Sequence, residues 1–239
     1  MPDKRTHRGP HPQDEKLFAV EALPLLRQAT ADLSLLLTKG YADKSALKLV
    51  GDRFGLTKRQ RLAVMRSACS DAQLQSRIRR MLPEDALEGA DLLIDGYNLL
   101  ITIEAAMSNA VILKARDGCF RDLAGIHGTY RRVNETAPAV ELIGKFLQEK
   151  SVAAATWLLD SPVSNSGRLK TLMGQIARQN NWNWHIQLLT SPDAELARSE
   201  MLVVSTDAPV LDRCGKWVNL AGVIITEKLP RARVIDLAP

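Results

Sequence analysis

From residue 14 to about residue 80, apolar positions recur at helical spacing, as in Leu33, Leu36, Leu37 and then Leu47, Val50 and Phe54, with almost no β-branched alternation. The pattern predicts a helical half. Pro24 starts or kinks a helix, Gly40 and Gly55 sit where C-caps belong, and Thr57 is placed to cap a helix running from Lys58 to about Cys69. Pattern and charge both change at Met81-Leu82-Pro83-Glu84, which predicts a helical domain over 1–82 and a second domain over 83–239. Beyond that point the rhythm is strand then helix. Strands are expected over 92–94, 155–159, 185–189 and 201–204, with a weaker fifth over 223–225; helices are expected over 97–107, from Pro138 as the first helical residue to about 150, and over 166–179. Residues 109–135 are polar, contain Gly, and carry no clear period.

Strands alternating with helices imply a parallel sheet with right-handed crossovers, so the expected fold is α/β with an all-α helical domain in front of it. The longest apolar stretches are broken by charge or Pro well before the roughly 20 apolar residues of a membrane span. The opening MPDKRTHRGPHPQDEK lacks the apolar run of a secretory signal, so a cytoplasmic protein with no membrane partner is expected. Cys69, Cys119 and Cys214 are odd in number and far apart, which fits neither a disulfide framework nor a zinc site with paired ligands; they read as reduced structural thiols.

The formal net charge of +5 conceals an asymmetry: residues 1–82 hold sixteen Lys and Arg against eight Asp and Glu, whereas residues 83–239 hold sixteen against nineteen. A basic half joined to an acidic one suggests a polyanion partner for the first and a cation for the second. A solvated basic surface with no partner is the competing explanation.

Four acids follow predicted strands closely: Asp95 in LLIDGYN, Asp160 in WLLDSPVSNSGR, Asp193 in LLTSPDAE and Asp207 in VVSTDAPVLD. In an open parallel sheet the carboxyl ends of the strands share one edge, so these side chains converge in the crevice where ligands bind. Carboxylates gathered there repel one another unless a hard cation neutralises them, and Mg²⁺ or Mn²⁺ takes oxygen ligands while keeping waters for a substrate phosphate. That is the chemistry of metal-assisted phosphodiester cleavage. Taken singly, each Asp is as readily a helix cap, and Asp193 is the weakest candidate because it could cap a helix over 194–200. Ser164, Asn165, Ser166 and Gly167 offer hydroxyls and amides at a helix start, with Arg168 in the first turn as a phosphate contact. Asn98, Asn165 and Thr206 are candidates to orient the acids.

Together LIDGYNLL, WLLDSP, SPDAE and VVSTDAPVLDR resemble the PIN-like nucleases, in particular the NYN branch, whose first strand commonly ends in a similar Asp-Gly-x-Asn. The stretches RGPHPQDEKLF and LVGDRFGLTKRQR also resemble a prokaryotic family known as domain of unknown function 434, in which a short helical domain precedes a PIN-like one. The resemblance implies a PIN-like Rossmannoid sheet and metal-dependent ribonuclease chemistry. It carries Asp95, Asp160, Asp193 and Asp207 over as ligands of Mg²⁺ or Mn²⁺, with Asp95, Asp160 and Asp207 as the catalytic set. Many PIN nucleases place a further Glu between the first two acids; Glu104, Asp117, Asp122 and Glu141 compete for that place here. No Gly-rich dinucleotide fingerprint and no GxxxxGK phosphate loop occurs.

Between Arg53 and Arg80 eight Arg or Lys residues accompany one acid, Asp71. The segment LTKRQRLAVMR resembles the promoter-reading helix pair of bacterial sigma factors, which makes Lys58, Arg59, Arg61 and Arg66 expected nucleic-acid contacts. The leading expectation is therefore a Mg²⁺- or Mn²⁺-dependent nuclease, acting on RNA rather than DNA. The alternative is a non-catalytic nucleic-acid-binding regulator that uses the helix-turn-helix-like segment.

Overall fold

A computed structural model of the chain describes residues 7–124 and 130–239; the first six residues of the charged N-terminus and residues 125–129 of the stretch without a period lie outside the described residues. Up to residue 80 the regular structure is helical: α1 Asp14–Leu17, α2 Leu23–Thr38, α3 Asp43–Arg53, α4 Lys58–Ser67 and α5 Asp71–Arg80. Pro24 sits in the first turn of α2, where its missing N–H has no intrahelical partner to lose. Thr57 and Gln60 exchange side-chain and backbone bonds in a capping box at α4, and Ser70 with Gln73 does the same at α5. Gly40 and Gly55 follow α2 and α3 at φ of 82° and 58°, a left-handed turn that suits glycine and ends both helices.

The rest of the chain alternates: β1 Asp91–Asp95, α6 Gly96–Met107, β2 Ile112–Lys114, β3 Phe120–Asp122, α7 Thr136–Glu149, β4 Ala154–Asp160, α8 Ser166–Gln179, β5 Trp184–Leu189, α9 Pro192–Arg198, β6 Leu202–Val204, α10 Ala208–Leu211, β7 Lys216–Val218, α11 Leu220–Lys228 and β8 Val234–Asp236. Five strands form a parallel sheet in the order β5-β4-β1-β6-β7. The chain winds outward from β1 first on one side and then on the other, so the topological switch lies between β1 and β6. The predicted strand at 223–225 belongs instead to α11, and the fifth strand is β7. Val223, Ile224 and Ile225 are a short β-branched run that periodicity cannot tell from a buried helix. Asn219 resolves the choice by capping the Gly222 amide.

The stretch without a period forms a second, three-stranded sheet, β3-β2-β8, in which β2 pairs antiparallel with β3 and parallel with β8. Its Val111, Leu113, Leu123, Ile235 and Leu237 pack into one core with Leu26, Leu33, Val50 and Val64 of the helices. The helical part thus shares its core with the α/β part. Among the described residues no helix is long and apolar enough to cross a membrane.

Candidate functional site

The sequence Asp95-Gly96-Tyr97-Asn98 turns the chain from β1 into α6, and each residue has a separate task. Asp95 Oδ1 accepts the Asn98 amide at 3.4 Å and so caps α6, while Oδ2 accepts the Ser205 hydroxyl at 2.8 Å. Gly96 lets the helix start close against β4: a Cβ there would lie 2.6 Å from Leu159 Cδ2 and 2.8 Å from the Leu158 carbonyl oxygen. Tyr97 is buried, and its hydroxyl has no hydrogen-bond partner among the described residues. Asn98 Oδ1 accepts both the Thr206 amide, at 2.9 Å, and the Thr206 hydroxyl, at 2.8 Å. Ser205 completes the tie, because its oxygen also accepts the Asp207 amide at 3.0 Å. The loop after β6 is therefore bonded across the switch point to the end of β1.

Asp207 stands at the N-cap position of α10 without making a side-chain capping bond. Asp160 is the last residue of β4, and Asp193 lies in the first turn of α9, whose N-cap is Ser191. Asp193 is thus no cap. Asp95, Asp160, Asp193 and Asp207 line one cleft of about 620 Å³ outside the carboxyl ends of β1, β4, β5 and β6. Burial, followed by the charges of Asp207 and Asp193, pushes the Asp95 carboxyl up to about 7 despite the opposing bond from Ser205. Burial and then Asp193 raise Asp160, and the same pair of causes raises Asp207 against the guanidiniums of Arg121 and Arg66. Tyr97 is pushed up to about 12, first by burial and then by Asp160. The acids are close enough to feel one another.

The sequence left four acids competing for a further place, and the fold separates them. Asp122, at the end of β3, lines the cleft; Thr102 and the Ala124 amide bond it, and burial raises its pKa against the pull of Arg66. Glu104 is fully buried away from the cleft, accepting from Arg8, Tyr130 and Thr136. Asp117 is locked between Arg77 and Arg121, whose guanidiniums outweigh its burial and hold it far below the carboxylate range. Glu141 faces outward with Lys145. Two contributors escaped the sequence reading, and a third, Asp117, entered it only as a competing acid. Ser205 bridges two acids; Arg121 donates to the Thr206 carbonyl at 2.7 Å and to the Arg66 carbonyl at 3.1 Å; Asp117 fixes Arg121 through two bonds. An Asp and an Arg four residues apart, Asp117 and Arg121, in a stretch without a period were the available signal.

Of the five expected phosphate contacts only Arg66 lines the cleft. Arg59 is held by buried Asp14, and Arg61 by Asp52 and the carbonyls of Leu56 and Lys48. Lys58 and Arg168 are exposed outside the cleft lining. Ser166 is buried and donates to the Ser161 carbonyl, and Asn165 donates to the Tyr130 carbonyl from a left-handed N-cap position, so this helix start is engaged internally. Asn98 and Thr206 orient each other rather than a carboxylate.

Among the described residues no three acidic, His or Cys side chains are already drawn around one metal-sized point. The donor set nonetheless fits a hard cation: its members are carboxylate oxygens at strand and helix ends, three of them of raised pKa and two tied by a bonded frame, beside a buried hydroxyl that lacks a partner.

Residues 25–80 match the family described as "Protein of unknown function (DUF434)". An uncharacterised protein of Methanocaldococcus jannaschii is 25% identical over 193 residues, covering 81% of this chain and 92% of the relative. No solved structure matches the chain. Residues 84–223, which carry the whole five-stranded sheet and its four strand-end acids, match the family described as "Domain of unknown function (DUF5616)", and the chain belongs to that family.

Proposed function

We propose that the protein is a metal-dependent nuclease of PIN-like type that hydrolyses phosphodiester bonds, with RNA as its substrate. The observation that carries this reading is the meeting of Asp95, Asp160, Asp193 and Asp207 in one cleft at the switch point, where burial and then neighbouring carboxylates raise the pKa of Asp95, Asp160 and Asp207. Asp95, Asp160 and Asp207 would hold Mg²⁺ or Mn²⁺, with Asp193 nearer solvent and Asp122 as a further acid on the same wall. The chemistry such a cation would supply, when held by these acids, is a lowered pKa for an attacking water and stabilisation of the leaving oxygen. The chain's own part is to fix its acids: Ser205 orients Asp95, and the Asn98–Thr206 pair and Arg121 hold the loop that presents Asp207. Arg66 supplies positive charge to the same cleft for the substrate phosphate.

The regulator reading has less support, because Arg59 and Arg61 of its reading helix are spent on Asp14 and Asp52. The test is incubation of the full chain with total RNA and with a panel of DNAs, in Mn²⁺ or in chelator. Cleavage should need Mn²⁺ and should vanish in Asp95→Asn and Asp207→Asn while their circular dichroism spectra stay unchanged; full activity in either variant would remove the site.

A further inference from the structure

The cleft has two unlike walls. One is the sheet edge with its acids; the other comes from the N-terminal helices, which present Leu33 and Leu37 of α2 and Met65 and Arg66 of α4 to the same space. Met65 is 46% exposed, an apolar side chain left open beside a charged site. Arg66 is held in place by the Asp122 carbonyl and carboxylate and by its own carbonyl, which accepts from Arg121. The anionic chemistry of the sheet edge does not require an apolar facing wall. A ligand that carries a phosphate at one end and a flat, weakly hydrated group at the other requires both.

We infer that the helical layer forms the nucleoside-holding wall of the site: Arg66 takes the phosphate, and Leu37 and Met65, backed by buried Leu33, take the attached base. The inference rests on the nuclease reading and adds to it the residues that would select substrate. Three features favour a nucleobase as occupant. A space of about 620 Å³ is in the range of sites that enclose a drug-sized ligand, about 300–1,000 Å³, which suits one nucleotide and not a duplex. Methionine beside leucine is an adaptable apolar surface that accepts flat groups of differing outline. Asp43, exposed at the start of α3, adds an acceptor to the same wall for an exocyclic amino group.

The test compares inorganic phosphate with nucleoside 5′-monophosphates by calorimetric titration of the full chain in Mn²⁺, alongside RNA cleavage. Wild type should bind the nucleotide about tenfold more tightly than phosphate, the weight of one well-buried apolar contact. Met65→Asp, at an exposed position, should abolish that preference and raise KM for RNA with little change in kcat; its charge beside Arg66 should weaken phosphate as well, whereas uncharged Met65→Ser should lose the preference with phosphate binding as in wild type. Met65→Ala should lie between, and Arg66→Gln should weaken phosphate and nucleotide alike. Equal binding of phosphate and nucleotide by wild type, or an unchanged KM in Met65→Asp, would overturn the inference and leave the nuclease reading standing. Absence of any Mn²⁺-dependent cleavage would strike the nuclease reading, and the nucleotide preference with its loss in Met65→Asp would still support the wall.

Discussion

Asp207 occupies the place of a helix cap without acting as one, and this separates its two roles experimentally. Burial and the Asp193 charge already disfavour its ionised form, so Asp207→Asn relieves repulsion in the metal-free protein at nearly constant volume. In chelator the variant should melt above wild type by about 2–4 °C for each kcal/mol relieved. In Mn²⁺ it should gain much less, since metal stabilises only what it binds. Identical metal responses would dismiss Asp207 as a ligand. Asp95 gives a pH signature in the metal-free state. Its folded pKa of about 7 lies above its unfolded value, so the native chain holds the extra proton. That stabilisation is full at low pH and is lost as pH rises through about 7. The groups that set it are Asp207, Asp193, Ser205 and the Asn98 amide. Between pH 5.5 and pH 8 the melting temperature of wild type should therefore fall relative to Asp95→Asn, and parallel curves would contradict the burial of that charge. Asp95 and Asp160 were legible in the sequence because each ends an apolar run, and Asp207 because it follows one within three residues. Ser205 was not, and Asp122 could not be told from three rival acids, since their roles arise from contacts such as Ser205 to Asp95, 110 residues apart.

At the scale of elements, the turn from β1 into α6 leaves no room for error. Gly96→Ala would press its Cβ against Leu159 and the Leu158 carbonyl, and such overpacking costs about 1–3 kcal/mol. Because α6 starts at the residue after Asp95, its displacement should also weaken the Ser205 tie. The variant should lose stability by chemical denaturation and Mn²⁺ affinity together; loss of stability alone would mean that α6 does not position the acid. Strands β1, β4 and β6 were readable as short apolar runs ended by polar residues, and β5 as an alternating segment. By contrast β2, β3 and β8 are three residues each, too short to show alternation, and β2 finds its parallel partner β8 only at the far end of the chain. The misread stretch at 223–225 has the opposite cause. A helix buried on nearly every side has no polar face to give it a period.

Across the whole molecule, the two halves suggested by charge are joined by buried ion pairs. Arg77 of α5 is 1% exposed and binds both Asp117 and Asp212, and Trp217 donates its indole N–H to the Arg77 carbonyl. Arg77→Met would leave those carboxylates short of a partner and should cost about 3–5 kcal/mol in denaturant unfolding. A fragment over 84–239 loses Arg77 and uncovers Val111, Leu113, Leu123, Ile235 and Leu237. It should therefore show no cooperative melt of its own, whereas a sharp transition near that of the full chain would show that the halves are separable. The change of pattern near residue 82 was legible, but sequence periodicity is blind to a core shared between distant segments. The shared core also orders events in time. Leu33 and Val64 leave the ribosome early, whereas Ile235 and Leu237, which close the same core, follow only after the five-stranded sheet has been made. The first helices must wait until that segment is made with part of their shared core uncovered, a window in which exposed apolar surface favours misassembly and which slower translation lengthens rather than shortens.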